Sequence, residues 1–371
     1  MSENVLITGG AGFIGSHLAR HLLGQGKSVR ALDCLHRQVH PEGLRPQYLD
    51  DEVELIEGDV RDRDAVEGAL QGIDAVVHLA ARVGVGQSMY EMAEYCSVNT
   101  FGTSVLLEAL MDRPVRRLLV ASSMSVYGEG LARTADGEPA LALERTREQL
   151  ERGDWEPRAP DGKTLVPEPT PEDKPPSLSS IYALNKFDQE RMCLLFGASY
   201  GVPTTALRFF NVYGPDQALS NPYTGVLAIF AGRLLNDRPP LIFEDGEQRR
   251  DFVSIHDIAR ACALALESDG AAGEAVNIGS GETVTVREVA TRLAEVTGRG
   301  EIEPEVTGKY RVGDIRHCFA DISRARELLG YEPQVDLRVG MTELAEWLEG
   351  QSAEDQVESA HGELAARGLT L

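Results

Sequence analysis

Short runs of β-branched and aliphatic residues punctuate the first half of the chain, and each is followed by a stretch in which apolar residues recur at helical spacing. The runs are Val5–Thr8, Val29–Asp33, Val53–Glu57, Ala75–Leu79 and Leu118–Ala121. Between and after them, Gly12–Leu23, Asp62–Leu70, Tyr90–Leu110 and Ile181–Tyr200 read as helices, and Thr204–Phe210 as one more strand. Strands apolar on both faces that alternate with helices are the pattern of βαβ crossovers. The predicted fold class is therefore α/β, a doubly wound parallel sheet covered by helices.

After Asn211 the regularity weakens into Gly- and Pro-containing stretches with short elements. This divides the chain into a first domain over 1–210 and a smaller α/β substrate-binding region over 211–348, with 253–266 placed to return to the first domain. Residues 129–180 form a polar insertion rich in Pro, Glu, Asp and Arg, with a helix-like core at Leu143–Arg152 and little strand content. Long insertions of this kind serve as lids or stay poorly ordered. The tail over 349–371 is polar and acidic and predicts a solvated helix or a frayed end. No internal repeat is visible.

A chain of 371 residues that is 42% hydrophobic carries enough apolar surface for two ordinary cores. Its net charge of -23 opposes binding to nucleic acid or to an anionic membrane, which needs clustered cations. An anionic small ligand stays open, provided a few arginines gather in a pocket. Cys34, Cys96, Cys193, Cys262 and Cys318 are odd in number and scattered, without a Cys-x-x-Cys or a His at ligand spacing. They predict buried thiols in a reducing compartment and no metal site. The start of the chain runs directly into Val5–Thr8, and no apolar run approaches the roughly 18 residues that span a bilayer. The expectation is a cytoplasmic protein.

The glycines add chemistry. Gly9-Gly10-Ala11-Gly12-Phe13-Ile14-Gly15 links the first predicted strand to the first predicted helix. In that position glycines allow a tight turn, close approach of backbone to a pyrophosphate, and a helix N-terminus aimed at its charge. This makes the fold Rossmann-type. Asp33 ends the second strand, where a carboxylate accepts from a ribose diol, and it would repel a 2′-phosphate. NAD is favoured over NADP, although Arg30 and Arg37 nearby leave the other choice open.

Tyr182 and Lys186 form the only Tyr-x-x-x-Lys among ten tyrosines. Spacing i and i+4 puts both on one helix face. An ammonium beside a phenol lowers its pKa and makes it a proton-transfer group.

Taken in order, Gly9 to Gly15, Asp59-Val60, His78-Leu79-Ala80-Ala81, Asn99, Ser122 to Gly128 and Tyr182 to Lys186 resemble the extended short-chain dehydrogenase/reductases. Arg208-Phe209-Phe210-Asn211-Val212-Tyr213-Gly214-Pro215 and Arg250-Asp251-Phe252-Val253 are similar to that family's nucleotide-sugar epimerases and dehydratases. The resemblance covers about residues 4–348 outside the insertion. It implies that Gly9, Gly12, Phe13, Ile14, Gly15, Asp33, Asp59, Val60, Leu79, Ala80, Ala81, Asn99, Tyr182, Lys186 and Phe209 contact NAD. Ser123, Tyr182 and Lys186 are then catalytic. Ser123, Asn211, Phe243, Arg250 and Arg311 bind the nucleotide sugar, where two arginines clamp a diphosphate.

Within the family the turn at Met124 and Ser125 is diagnostic. Dehydratases that resemble this segment carry Asp-Glu there, decarboxylases carry Glu at the second position, and 3,5-epimerases carry Cys. Met124 supplies neither acid nor base. The resemblance thus implies 4-epimerisation by C4 oxidation, turning of the keto-sugar and hydride return. A 4,6-dehydratase, a C4 ketoreductase and a non-catalytic NAD-binding regulator are the rival readings. Val85 to Ser88, the insertion, 221–225 and Gly313 to Phe319 look most like dTDP-L-rhamnose 4-epimerases, with other dTDP- or UDP-hexoses as neighbouring choices. Cys318 either lines the sugar pocket or is strand core. Ser122 and Ser125 read as groups that satisfy local backbone, and as the weaker candidates for the role given to Ser123. Leu106, Leu107, Leu194 and Leu195 lie on helices that pair in family homodimers, so a homodimer is expected, though one chain could equally cover them.

Overall fold

Seven parallel strands form the centre of the molecule in the computed structural model, which describes residues 2–221, 223, 225–311, 313–353, 355 and 357–370. They are β1 (Asn4–Thr8), β2 (Ser28–Asp33), β3 (Glu54–Glu57), β4 (Ala75–His78), β5 (Arg117–Ser123), β6 (Thr204–Phe209) and β7 (Ala275–Ile278). Their spatial order is β7-β6-β5-β4-β1-β2-β3. The order reverses between β1 and β4, and in such sheets ligands bind in the crevice beyond the strand ends at that point. The central strand shows why both faces are apolar. Val5 and Ile7 enter one core with Leu18, Leu22, Ile258 and Cys262, whereas Leu6 enters the opposite core with Val66, Leu106 and Cys193.

Helices α1 (Phe13–Gly24) and α5 (Ile255–Glu267) cover the first face, and α2 (Arg63–Ala69), α3 (Gly102–Asp112) and α4 (Ile181–Tyr200) the second. Three of the starts have a side-chain cap. Asp62 accepts from Asp64 N and Ala65 N, Ser180 from Ala183 N, and Ser254 from His256 N. Helix α4 ends at Gly201, whose φ of 71° is left-handed. No described helix is long and apolar enough to cross a membrane.

Four expectations need correction. The helix predicted over Tyr90–Leu110 is broken into Met92–Tyr95, a π-helical stretch Cys96–Phe101, and α3. Thr103 Oγ1 donates to Asn99 O at 2.5 Å, competing for a carbonyl that a regular helix would reserve for the backbone. The insertion is not short of strands: Leu131–Thr134 pairs with both Pro139–Leu141 and Leu165–Pro167, and its helix is only Arg147–Glu151. Nor is the tail a solvated end. Helix Val357–Ala366 buries Val357, Ala360 and Leu364 against the body. Finally, Cys34 and Cys96 are exposed, at the end of β2 and the start of the π-helical stretch, while the other three thiols are buried.

The second region has its own core of Tyr213, Phe230, Leu234, Leu293 and Leu344, from helices Val226–Leu235, Val286–Val296 and Leu337–Leu348 and the strands beside them. Within it Arg249–Arg250 pairs with Val284–Thr285 on one side and His317–Cys318 on the other.

Candidate active site

The glycine turn fits a dinucleotide. Gly9 has φ of 71°, and a Cβ there would lie 2.9 Å from Ala80 N; one at Gly15 would lie 2.5 Å from Gly9 O. Only bare backbone allows β1, α1 and the strand-end segment Leu79–Ala81 to close this tightly. Gly12 leaves the α1 N-terminus without a side-chain cap, so the amides that begin the helix face the turn. Asp33 braces it, accepting from Ala11 N at 3.0 Å and Leu35 N at 2.9 Å with lone pairs to spare. Asp59 is held by Arg61 through two bonds of 2.9 and 2.7 Å, and this pairing holds its carboxyl below the usual range. Val60 is buried behind Gly102, and Phe13, Ile14 and Phe209 pack at the sheet's edge of the crevice. These residues fit NAD.

Asn99 braces the loop at Arg82. Its Oδ1 accepts from Arg82 N at 2.7 Å and its Nδ2 donates to Arg82 O at 3.0 Å. Both ends of the amide bond the backbone of Arg82 and steady that loop, and one hydrogen and one oxygen lone pair of the side chain stay open.

The candidate catalytic residues Ser123 and Tyr182 meet where β5 ends and α4 begins. Ser123 Oγ accepts from Ser125 N at 3.1 Å and from Ser125 Oγ at 3.0 Å, which leaves its own hydrogen for the Tyr182 phenol. The start of α4 is fixed twice: Ser180 caps Ala183, and Ser88 Oγ, reaching from the Val85–Ser88 turn, accepts from Tyr182 N at 3.1 Å. Ser122 and Ser125 serve side chains, not local backbone: Ser122 donates to Glu190 at 2.6 Å.

The titration of the pair differs from the sequence expectation. Burial pushes the Tyr182 phenol up to about 12, and Ser123, not Lys186, is the group that offsets it. Lys186 instead donates to Gln189 Oε1 at 2.7 Å, and burial pushes its ammonium down to about 8. Glu190, a carboxylate one turn beyond Lys186, is occupied by Arg208 at 2.6 and 2.9 Å.

At the other end of the crevice the arginines are placed by stacking and by backbone. Arg311 lies 4.6 Å over the Phe243 ring, and its buried Nε has no partner among the described residues. Asn211 Oδ1 is likewise buried and unpaired. Arg250 is more committed than expected: it donates to Arg249 O and Arg316 O at 2.9 Å each and to Ile315 O, which leaves it two of its five hydrogens. Cys318 is fully buried beside Thr170 of the insertion, so it is strand core and does not line a pocket.

Sequence reasoning missed two contributors. The insertion is locked here by buried charge: Arg145 donates to Glu244 at 2.7 Å, and Glu156 pairs with Arg316 at 2.6 Å and His317 at 2.9 Å. Although burial alone would raise it, those two partners pull Glu156 down to about 2. The tail forms a strap along the same end. His361 packs edge-on to Phe243 at 4.9 Å, Tyr90 donates to Glu363 at 3.2 Å, Leu364 covers Gly86, and Thr370 bridges to Arg311. The apolar spacing Val357, Ala360, Leu364 was its one signal.

The profile of the NAD dependent epimerase/dehydratase family matches residues 5–279. The chain belongs to that family. It is an NAD-dependent enzyme of the epimerase class. The chain is 36% identical over 351 residues to a dTDP-L-rhamnose 4-epimerase of Burkholderia thailandensis, covering 93% of this chain and 95% of the relative. Among solved structures, the UDP-glucose 4-epimerase of Thermotoga maritima with UDP-glucose superposes at a TM-score of 0.76 with 32% identity, covering 93% and 98% of the two chains. The UDP-glucose 4-epimerase of Thermus thermophilus with NAD gives 0.75 and 32%, covering 94% and 99%.

Proposed function

We propose that the protein is a nucleotide-sugar 4-epimerase acting on dTDP-L-rhamnose or a related dTDP- or UDP-hexose. The observation that carries the reaction type is the turn after Ser123. Ser123 meets Tyr182, with Lys186 one turn along the same helix, while Met124 and Ser125 beside them offer no carboxylate or thiol for elimination or ring-proton exchange. The kinship with the Burkholderia enzyme supports the sugar.

In this reading Ser123 orients the C4 hydroxyl, and Tyr182 takes its proton and later returns it. Bound NAD supplies the hydride acceptor and donor for the same carbon. The Ser123 hydrogen bond offsets part of the burial that pushes the phenol up to about 12, and Lys186 is the cation this reading pairs with it when NAD is bound. Gly9, Gly12, Gly15 and Asp33 hold the dinucleotide. Asn211, Arg311 and the two remaining Arg250 hydrogens bind the diphosphate; the unpaired Asn211 amide donates once it is turned. We also infer a cytoplasmic homodimer. Leu106, Leu107 and Leu194 are covered within the chain, but Leu195, with Phe101, Met111, Leu184 and Tyr200, leaves an apolar face on the α3 and α4 side.

A panel of dTDP-, UDP- and GDP-sugars, resolved by product chromatography, tests the substrate. Interconversion of dTDP-L-rhamnose and its C4 epimer without net change in NAD absorbance is expected. Stoichiometric consumption of reduced cofactor would show a ketoreductase instead.

A further inference from the structure

Lys186 is 3% exposed, and its partner has a fixed orientation. Gln189 Nε2 donates to Thr103 Oγ1 at 2.9 Å and faces Ala80 O at 3.4 Å. Thr103 spends its own hydrogen on Asn99 O, so it can only accept from its other neighbours. His78 Nε2, 2.8 Å from Thr103 Oγ1, must then carry a hydrogen, and His78 Nδ1 accepts from Thr8 Oγ1 at 2.7 Å. The ring is neutral because burial, followed by the Lys186 charge, pushes His78 down to about 3. The 3.2 Å approach of His78 Nε2 to Gln189 Nε2 is a contact between two donors sharing one oxygen. A turned-over amide would set its oxygen against Thr103 Oγ1 and two hydrogens against the ammonium. The chain of bonds from β1 through β4 and α3 therefore dictates which end of Gln189 meets Lys186.

We infer that Gln189 is a positioning residue for Lys186, keyed by Thr8, His78 and Thr103 so that its carbonyl holds the ammonium charged and aimed along the catalytic helix. One of the three ammonium hydrogens is taken, and two remain for Tyr182 and the cofactor. The other groups that face Lys186 do not substitute for this contact. Glu190 and Cys193 on α4 favour its charge only at a distance, Glu190 is occupied by Arg208 and Ser122, and His78 on β4 is neutral.

The inference rests on Tyr182 and Lys186 being the catalytic pair, and the experiment separates the two. The chain has five lysines, so 13C-lysine labelling gives few side-chain signals, and Lys186→Met assigns the relevant one. In the full-length protein the Lys186 signal should titrate near 8. Gln189→Met should lower that midpoint by about one unit or more, as expected for a lost hydrogen bond to a charged group. Gln189→Glu, which keeps the acceptor, should raise it, and Thr103→Val should lower it by less than Gln189→Met. The alkaline limb of the kcat–pH profile should move with each. An unmoved Lys186 signal in folded Gln189→Met overturns the inference; if that variant does not fold, an unmoved or lowered midpoint in Gln189→Glu does so. A moved signal with an unmoved kcat profile upholds the positioning and overturns the catalytic role of Lys186.

Discussion

The two ends of the crevice are built from different chemistry. Around Tyr182 the contacts are hydroxyls, an amide and a neutral imidazole, with one cation, Lys186, whose partner is uncharged. At the end holding Phe243 and Arg311, the insertion and the second region meet through Arg145, Arg316, Glu156, Glu244 and Asp245. Neutral bonds fix geometry without cancelling the charge that a proton transfer depends on. Ion pairs are used where segments distant in sequence must be held in one arrangement, since leaving one partner buried alone is costly. Under the proposed function, reaction chemistry and substrate choice are carried by separable networks.

Substitutions at each end should separate them further. The largest effect is expected from Tyr182→Phe, which should lower kcat by about 10² to 10⁴ with little change in thermal stability, measured by product formation and by melting. Arg316→Met should do the reverse. Its guanidinium is 1% exposed and serves Glu156, Glu244 and Asp245, so its loss should cost roughly 3 kcal/mol in urea unfolding, with Glu156 and Asp245 partly rescued by solvent. The folded fraction should retain most of its kcat. Leu364→Asp should cost the strap about 2 kcal/mol of local stability, seen as faster hydrogen exchange over 357–366 and a raised KM.

The smallest effect is a pH dependence confined to the strap. Burial, and then Arg311, Lys309 and Arg233, push His361 down to about 4, against which Asp355 acts weakly. A detached strap has an ordinary histidine and binds the proton first. Docking should therefore be fully stable above about pH 6.5 and weaken as pH falls from there toward 4. Hydrogen exchange over 357–366 at pH 7 and 5 should show it, and His361→Gln should remove the difference.

Legibility follows the same division. The βαβ runs, the Gly9–Gly15 turn and Tyr182–Lys186 are local patterns whose periodicity or spacing is dictated by one strand or one helix turn, and each lies where the sequence places it. What was hidden depends on distant partners. Leu131–Thr134 becomes a strand by pairing with Leu165–Pro167, and Glu156 finds Arg316 far along the chain. The strap's three apolar residues are too few to predict docking, because the groove they fill is assembled from Gly86, Tyr90 and Phe243. The strand Ala275–Ile278 was missed because a four-residue segment with three residues buried carries no alternation to read. Even Tyr182 was only half legible: its neighbour Lys186 is visible in sequence, but the Gln189 contact that engages that lysine depends on residues from three other elements.

The most direct test of the proposed reaction is the fate of hydrogen at the sugar carbons. dTDP-L-rhamnose carrying deuterium at C4 should yield its C4 epimer with the label retained, and unlabelled substrate turned over in deuterium oxide should gain no carbon-bound deuterium. Solvent deuterium at C3, C5 or C6 of the product, or loss of the C4 label, would contradict 4-epimerisation by Tyr182.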